Sequence, residues 1–230
     1  MSITSAQIIT DACQIAKCPG YTAQAGRQLN LVLSDLVLHR NLKVNLITST
    51  ITIQAGSFGP FNLEPNYLRT YDLFYNVSGT PYFLNPCSLK EIDGENYQSG
   101  FENYPYEWAS DLSGVPTNGY GLLYIYPASG TTLTVTHRYY NQQADISSPS
   151  SSTTVPWFAD QDYLTMATAA RLMRFTDDDR YPQFVQECEK MLEFHLMMEG
   201  DEQQVVKEVI LDPRRFKIGG MTRPTKLDPF

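Results

Sequence analysis

The 230-residue chain carries 17 Lys and Arg against 25 Asp and Glu, a formal net charge of -8, and 42% of it is hydrophobic. That length buries one good core or two small ones, and the acidic balance argues against a general DNA-gripping surface. No apolar run approaches the roughly 20 residues of a membrane span, and the opening Met1-Ser2-Ile3-Thr4 lacks the character of a secretion signal.

Thr4 and Gln7 fit a capping box for a first helix striped by Ile8, Ile9, Ala12, Cys13, Ile15 and Ala16 and ended by Pro19-Gly20. Thr22 is the expected cap of a second helix, with Leu29, Val32, Leu33, Leu36 and Val37 at helical spacing. Leu31 and Leu38 make that helix apolar on nearly all sides, which fits burial in a bundle or a subunit contact. Asp35 and His39, one turn apart, read as a surface pair.

From Lys43 the period changes to two. Thr50 to Gln54 and Arg69 to Val77 alternate as strands, Ser78-Gly79-Thr80 is a turn, and Tyr82-Phe83-Leu84 is a short strand. Ser88 and Glu91 give a second capping box for a brief helix ending near Gly94. Residues 97–126 are crowded with Tyr97, Phe101, Tyr104, Tyr106, Trp108, Tyr120, Tyr124 and Tyr126, with no Lys or Arg between them. Stacking of nucleic-acid bases is therefore disfavoured, and core filling and subunit contact are the better use of these rings. Tyr104, Tyr106 and Trp108, with Leu31 and Leu38, are the expected subunit-contact residues.

Leu122 to Tyr126 and Thr132 to Tyr140 alternate around Ala128-Ser129-Gly130, which predicts an antiparallel hairpin. A polar loop, Ser147 to Thr154, leads to a third long helix expected to begin near Pro156-Trp157 and to carry Tyr163, Leu164, Met166, Ala167, Ala170 and Met173. Asp177-Asp178-Asp179 reads as a connector that caps the next helix, since the oxygen-ligand spacing of a calcium loop is absent. Pro182 opens that helix, which puts Phe184, Cys188, Met191, Leu192 and His195 on one face before Gly200. The fold class is α+β. The N- and C-terminal helix pairs (residues 1–42 and 155–200) form a four-helix bundle, an antiparallel β domain (43–142) is inserted between them, and an extended arm (201–230) follows.

No Ser-His-Asp constellation, phosphate-cradling glycine loop or zinc signature stands out, so no catalytic, cofactor or metal residue is assigned. His39, His137 and His195 fall on separate elements. Asp160 and Asp162 are a pair able in principle to work on a glycan, yet they sit where a helix start favours acids. Cys13, Cys18, Cys87 and Cys188 lack metal-type spacing and read as reduced thiols of a cytosolic product.

Several stretches in order resemble the adaptor, or head-to-tail connector, proteins of short-tailed bacteriophages. They are Leu123-Tyr124-Ile125-Tyr126-Pro127, the Thr-rich Thr131 to Thr136, Arg138-Tyr139-Tyr140, Pro156-Trp157, Ala167 to Leu172, and the acidic turn Asp177 to Asp179 before a last amphipathic helix. Leu29-Asn30 and Tyr67-Leu68-Arg69 suit the same pattern. The resemblance implies a non-enzymatic structural protein of the virion neck, assembled in the host cytoplasm. Such adaptors form a ring, usually a dodecamer, beneath the portal protein. Genomic DNA passes through its channel without specific binding, and nozzle or tail-fibre proteins seat below. It implies no cofactor and no membrane. A sugar-binding β module, favoured by the aromatic cluster, and a cell-wall-cleaving hydrolase are the alternatives.

The C-terminal stretch has its own signature. Residues 212–230 hold five basic side chains (Arg214, Arg215, Lys217, Arg223, Lys226) and two acidic ones (Asp212, Asp228), hence +3, which leaves -11 of the total -8 for residues 1–211. A basic strip with apolar anchors on an acidic chain fits an acidic partner. Arg214, Arg215, Phe216, Lys217, Ile218, Met221, Arg223 and Phe230 are the expected portal-binding residues, in line with the portal-embracing extension of similar adaptors.

Overall fold

In the computed structural model, residues 3–96, 102–113, 115 and 119–199 are described. Helix α1 (Ser5–Ile15) starts with the expected box: Thr4 accepts from the Gln7 backbone N–H and the Gln7 side chain reaches back to Thr4. Helix α2 (Thr22–His39) differs at its start. Its N-cap is Tyr21, without a side-chain cap bond, and Thr22 is the first helical residue. The spacing that defined both helices holds, since Ile8, Ile9, Ala12, Leu29, Val32, Leu33 and Leu36 are all buried.

After a short 3₁₀ turn, strands β1 (Leu46–Ile53), β2 (Phe61–Asn62), β3 (Tyr67–Val77), β4 (Thr80–Phe83) and β5 (Asn85–Pro86) follow. Ser78 and Gly79 both have positive φ, 51° and 85°, which is the two-residue primed turn whose twist suits a hairpin. β3 and β4 pair accordingly, with Phe74 opposite Phe83. Helix α3 (Leu89–Asn96) keeps its capping box, with Ser88 N–H donating to Glu91 Oε2 at 2.7 Å and Glu91 N–H donating to Ser88 Oγ at 3.2 Å. Strands β6 (Glu102–Asn103), β7 (Glu107–Asp111), β8 (Leu122–Tyr126), β9 (Ala128–Ser129) and β10 (Leu133–Asn141) complete the β region.

The expected hairpin between β8 and β10 does not form. β10 lies between β1 and β3 in a sheet ordered β1-β10-β3-β4, whereas β8 belongs to a second sheet, β2-β8-β7-β5. β9, inside the supposed turn, pairs in parallel with β6. The physical reason is burial. β8 and β10 each have one apolar face, and Leu123, Ile125 and Val135 are all fully buried in one shared core with Ile53, Leu73 and Tyr75. Two half-apolar sheets bury more by facing each other than by lying side by side. Pro127, which offers no N–H to a ladder, sits where the chain leaves one sheet for the other.

Helix α4 (Gln161–Phe175) starts four residues later than Trp157. Asp160 is its N-cap and accepts from Tyr163 N–H at 2.9 Å. Helix α5 (Tyr181–Glu199) has Pro182 in its first turn. α4 packs against α1, α2 and α5, and the four helices share one core in which Leu29, Leu36, Phe158, Leu164, Leu172 and Leu192 are buried.

The two cores are tied by polar contacts that periodicity does not show. Arg69 on β3 reaches across to the C-terminal end of α2, where carbonyls lack helical partners and the dipole is negative. Its Nε donates to Asn41 Oδ1 (3.0 Å), Nη1 to Val37 O (3.2 Å) and Leu38 O (3.1 Å), and Nη2 to Arg40 O (2.7 Å). The same guanidinium lies 4.9 Å from the Tyr140 ring centre. The polar loop after β10 is strapped to the helices: Asn30 exchanges two 3.1 Å bonds with the Ile146 backbone, and Ser5 Oγ donates to Pro149 O and Ser152 O. A Cβ on Gly26 would come within 2.8 Å of Pro149, so α2 accepts the loop only because that position is glycine. Arg69→Lys keeps the charge and loses the fork, so we expect a loss of about 2 kcal/mol in urea unfolding. An unchanged midpoint would mean that the clamp holds nothing.

Candidate docking surfaces

Leu31 and Leu38 lie two turns apart on the outer side of α2, 49% and 48% exposed. The helix is thus not buried on all sides: α1 and α4 pack on its Leu29, Val32, Leu33 and Leu36 side, which leaves Leu31 and Leu38 half-exposed. Asp35 and His39 do not form a pair. Asp35 makes a close ion pair with Arg171 of α4, while His39 Nδ1 lies 3.2 Å from the Asp35 backbone oxygen.

On the β side, Tyr104 and Tyr106 are 54% and 46% exposed. Tyr75 is buried between Tyr82 and Tyr104, nearly parallel to both, with ring centres 5.7 and 6.2 Å away. Its hydroxyl donates to Pro105 O at 3.0 Å, which fixes the stack. Tyr106 meets Tyr126 edge-on. Trp108 differs from these tyrosines: it is half-buried and packs against the sheet core. Sequence reasoning overlooked Tyr82 and Phe83 as surface rings, although the adjoining Pro81 marks an edge strand. It also overlooked Phe194, Met197 and Met198, which are exposed because they fall off the Cys188/Leu192 stripe of α5.

The sheet edges differ sharply. β2, β4 and β5 are two to four residues long, with Pro60 just before β2, Pro81 in β4 and Pro86 in β5. Short length and proline both discourage a foreign strand. β1 pairs with β10 on one side and has no described strand on the other, and its eight residues, Leu-Ile-Thr-Ser-Thr-Ile-Thr-Ile, carry no charge and no proline. Among the described residues, that edge carries none of the devices that discourage strand addition.

The remaining polar candidates have structural roles. Asp160 caps α4. Asp178 is gripped by Arg180, whose hydrogen bonds hold its carboxyl down at about 2. His137 is buried on β10 with Nε2 3.0 Å from Thr70 Oγ1, and His195 rests against Phe158. Cys13, Cys18 and Cys188 are buried, and burial raises each thiol's pKa, that of Cys188 to about 11. Among the described residues no three His, Cys, Asp or Glu gather as a metal site, and no helix is long and apolar enough to cross a membrane.

A family model described as SU10 adaptor protein matches residues 3–204. The chain belongs to the SU10 adaptor protein family. No curated protein matches it. Membership places it among bacteriophage adaptor proteins, whose role is structural, and the match spans the described helices, strands and surfaces above. The arm residues Arg214, Arg215, Phe216, Lys217, Ile218, Met221, Arg223 and Phe230 lie outside both the matched and the described residues of this SU10-family adaptor, and Tyr97 and Phe101 lie outside the described ones.

Proposed function

We propose that this adaptor acts in the neck of a short-tailed phage as a ring subunit. In this reading it joins the portal protein to the tail, extends the DNA channel, and seats a nozzle or tail-fibre protein. The observation that carries the reading is the family match over nearly the whole chain. Its surfaces support it: separate exposed apolar patches on the helices and on the sheets suit a heterologous contact, which closes into a ring when the rotation between copies allows. Leu31 and Leu38 on one copy, and Tyr104, Tyr106 and the half-buried Trp108 on another, are the contacts proposed. A net charge of -8 lets DNA slide past the wall without adhering.

The division of labour follows the chain. Residues 1–42 and 155–200 act as a four-helix bundle, residues 43–142 as an inserted β domain, and residues 201–230 as an arm. The arm carries the portal contact, through Arg214, Arg215, Phe216, Lys217, Ile218, Met221, Arg223 and Phe230. Removing residues 212–230 is expected to leave thermal unfolding unchanged and to weaken binding to immobilised portal rings on the order of a hundredfold, the loss of a few anchor side chains. Equal affinity of the full and shortened chains would remove the arm from the interface.

A further inference from the structure

The end of α1 brings two cysteines together through its backbone. Lys17, just past the C-cap Ala16, has a φ of 54°, in the left-handed region. Its N–H donates to Gln14 O at 3.1 Å, and Cys18 N–H donates to Cys13 O at 2.9 Å. These two nested bonds make a Schellman motif, in which the residue after the left-handed one packs its side chain on the last turn of the helix. That contact is ordinarily made by two apolar side chains. Here its two positions are Cys13 and Cys18, buried in the helical core at 2% and 8% exposure.

The spacing suits a covalent bond. With backbone bond lengths added to the 2.9 Å contact, the two Cα atoms are at most about 6.8 Å apart, within the span of a disulfide. Each thiol acts on the ionisation of the other, so the sulfurs are close as well. The other two cysteines stand elsewhere: Cys87 Sγ donates to Trp108 O at 3.3 Å in the β region, and Cys188 lies on α5. We infer that Cys13 and Cys18 are a redox-sensitive pair, which stays as two thiols under reducing conditions and closes to a disulfide when a small-molecule disulfide is in excess.

The reaction balances as thiol–disulfide exchange. The thiolate of Cys18, the more exposed of the two, attacks the small disulfide, forms a mixed disulfide and expels one thiolate. The Cys13 thiolate then attacks Cys18 Sγ and expels the second. The two cysteines together lose two protons and two electrons, and one small disulfide is reduced to two thiols. Burial raises both thiol pKa values, so closure is slow and passes through local opening of the turn. The bond then ties the end of α1 to the turn leading into α2, beside Ile15 O, which accepts from Arg180 Nη2 at 3.2 Å. This inference stands independently of any ring.

Peptide mapping of the full chain tests it, because trypsin cuts after Lys17, between the two cysteines. Protein carrying Cys87→Ser is treated with oxidised glutathione, both folded and during refolding from urea. Residues 1–17 and 18–27 are expected as one linked mass that dithiothreitol separates. Thermal unfolding of the linked protein should rise by about 5 °C over the reduced form, and Cys18→Ala should abolish the rise. A glutathione adduct that persists on Cys18, or a link from either cysteine to Cys188 or to a second chain, would overturn the inference. Two free thiols after refolding, where burial no longer limits access, would overturn it equally.

Discussion

Replacing Phe158 with alanine is expected to lower stability by about 4 kcal/mol, the range for emptying a fully buried phenylalanine site. Phe158 is 1% exposed and belongs to the helical core. Its ring contacts Trp157 and Tyr163 edge-on at 5.8 and 5.5 Å and His195 at 4.7 Å. It thus joins the start of α4 to the last turns of α5, and its loss opens a void at a junction of elements that cannot easily collapse. For a chain of this size, thermal unfolding should drop by roughly 10 °C. Phe158→Leu, which refills most of the volume, should cost only about 1 kcal/mol. Equal, small losses for both variants would show that the ring is not a keystone.

The second large effect concerns pH. His137 is fully buried on the central strand β10, between Tyr67 and Tyr139, with centroid distances of 5.6 and 5.0 Å. Its Nδ1 has no hydrogen-bond partner among the described residues. Burial disfavours the charged ring and lowers its pKa from 6.5 to about 4. The unfolded chain therefore binds the extra proton first as pH falls. The contribution is fully present above pH 6.5, declines by about 1.4 kcal/mol per pH unit below it, and is spent near pH 4, a total of about 3 kcal/mol. Urea unfolding of the native chain and of His137→Gln between pH 7 and 4.5 measures this directly. The variant should show a shallower fall, and identical slopes would assign the acid sensitivity elsewhere.

What could be read from the sequence was what neighbours along the chain decide. The Thr4/Gln7 and Ser88/Glu91 boxes, the Ser78-Gly79 turn and the apolar stripes of α1, α2 and α4 are local matters, and all are found. The partner of a strand is not local. The alternation of Leu123 and Ile125 fits pairing with β10 as well as facing it, and only the burial of both faces in one core separates the two. Phe158 escaped notice because it follows a polar loop and lies outside any periodic run. Arg69 escaped because the carbonyls it binds end a helix some thirty residues away in sequence. The candidate surfaces were legible in part. Composition picked out the tyrosine-rich stretch, but only the fold distinguishes the exposed Tyr104 and Tyr106 from the half-buried Trp108.

The central claim, that this SU10-family chain assembles as a ring on a portal, is tested most directly by weighing the complex. Purified full-length protein is added in excess to isolated portal rings and the particle mass is read by mass photometry or native mass spectrometry. The account predicts a single heavier species carrying twelve chains of 26.0 kDa, about 310 kDa in all. A portal mass that stays unchanged at saturating protein would contradict it.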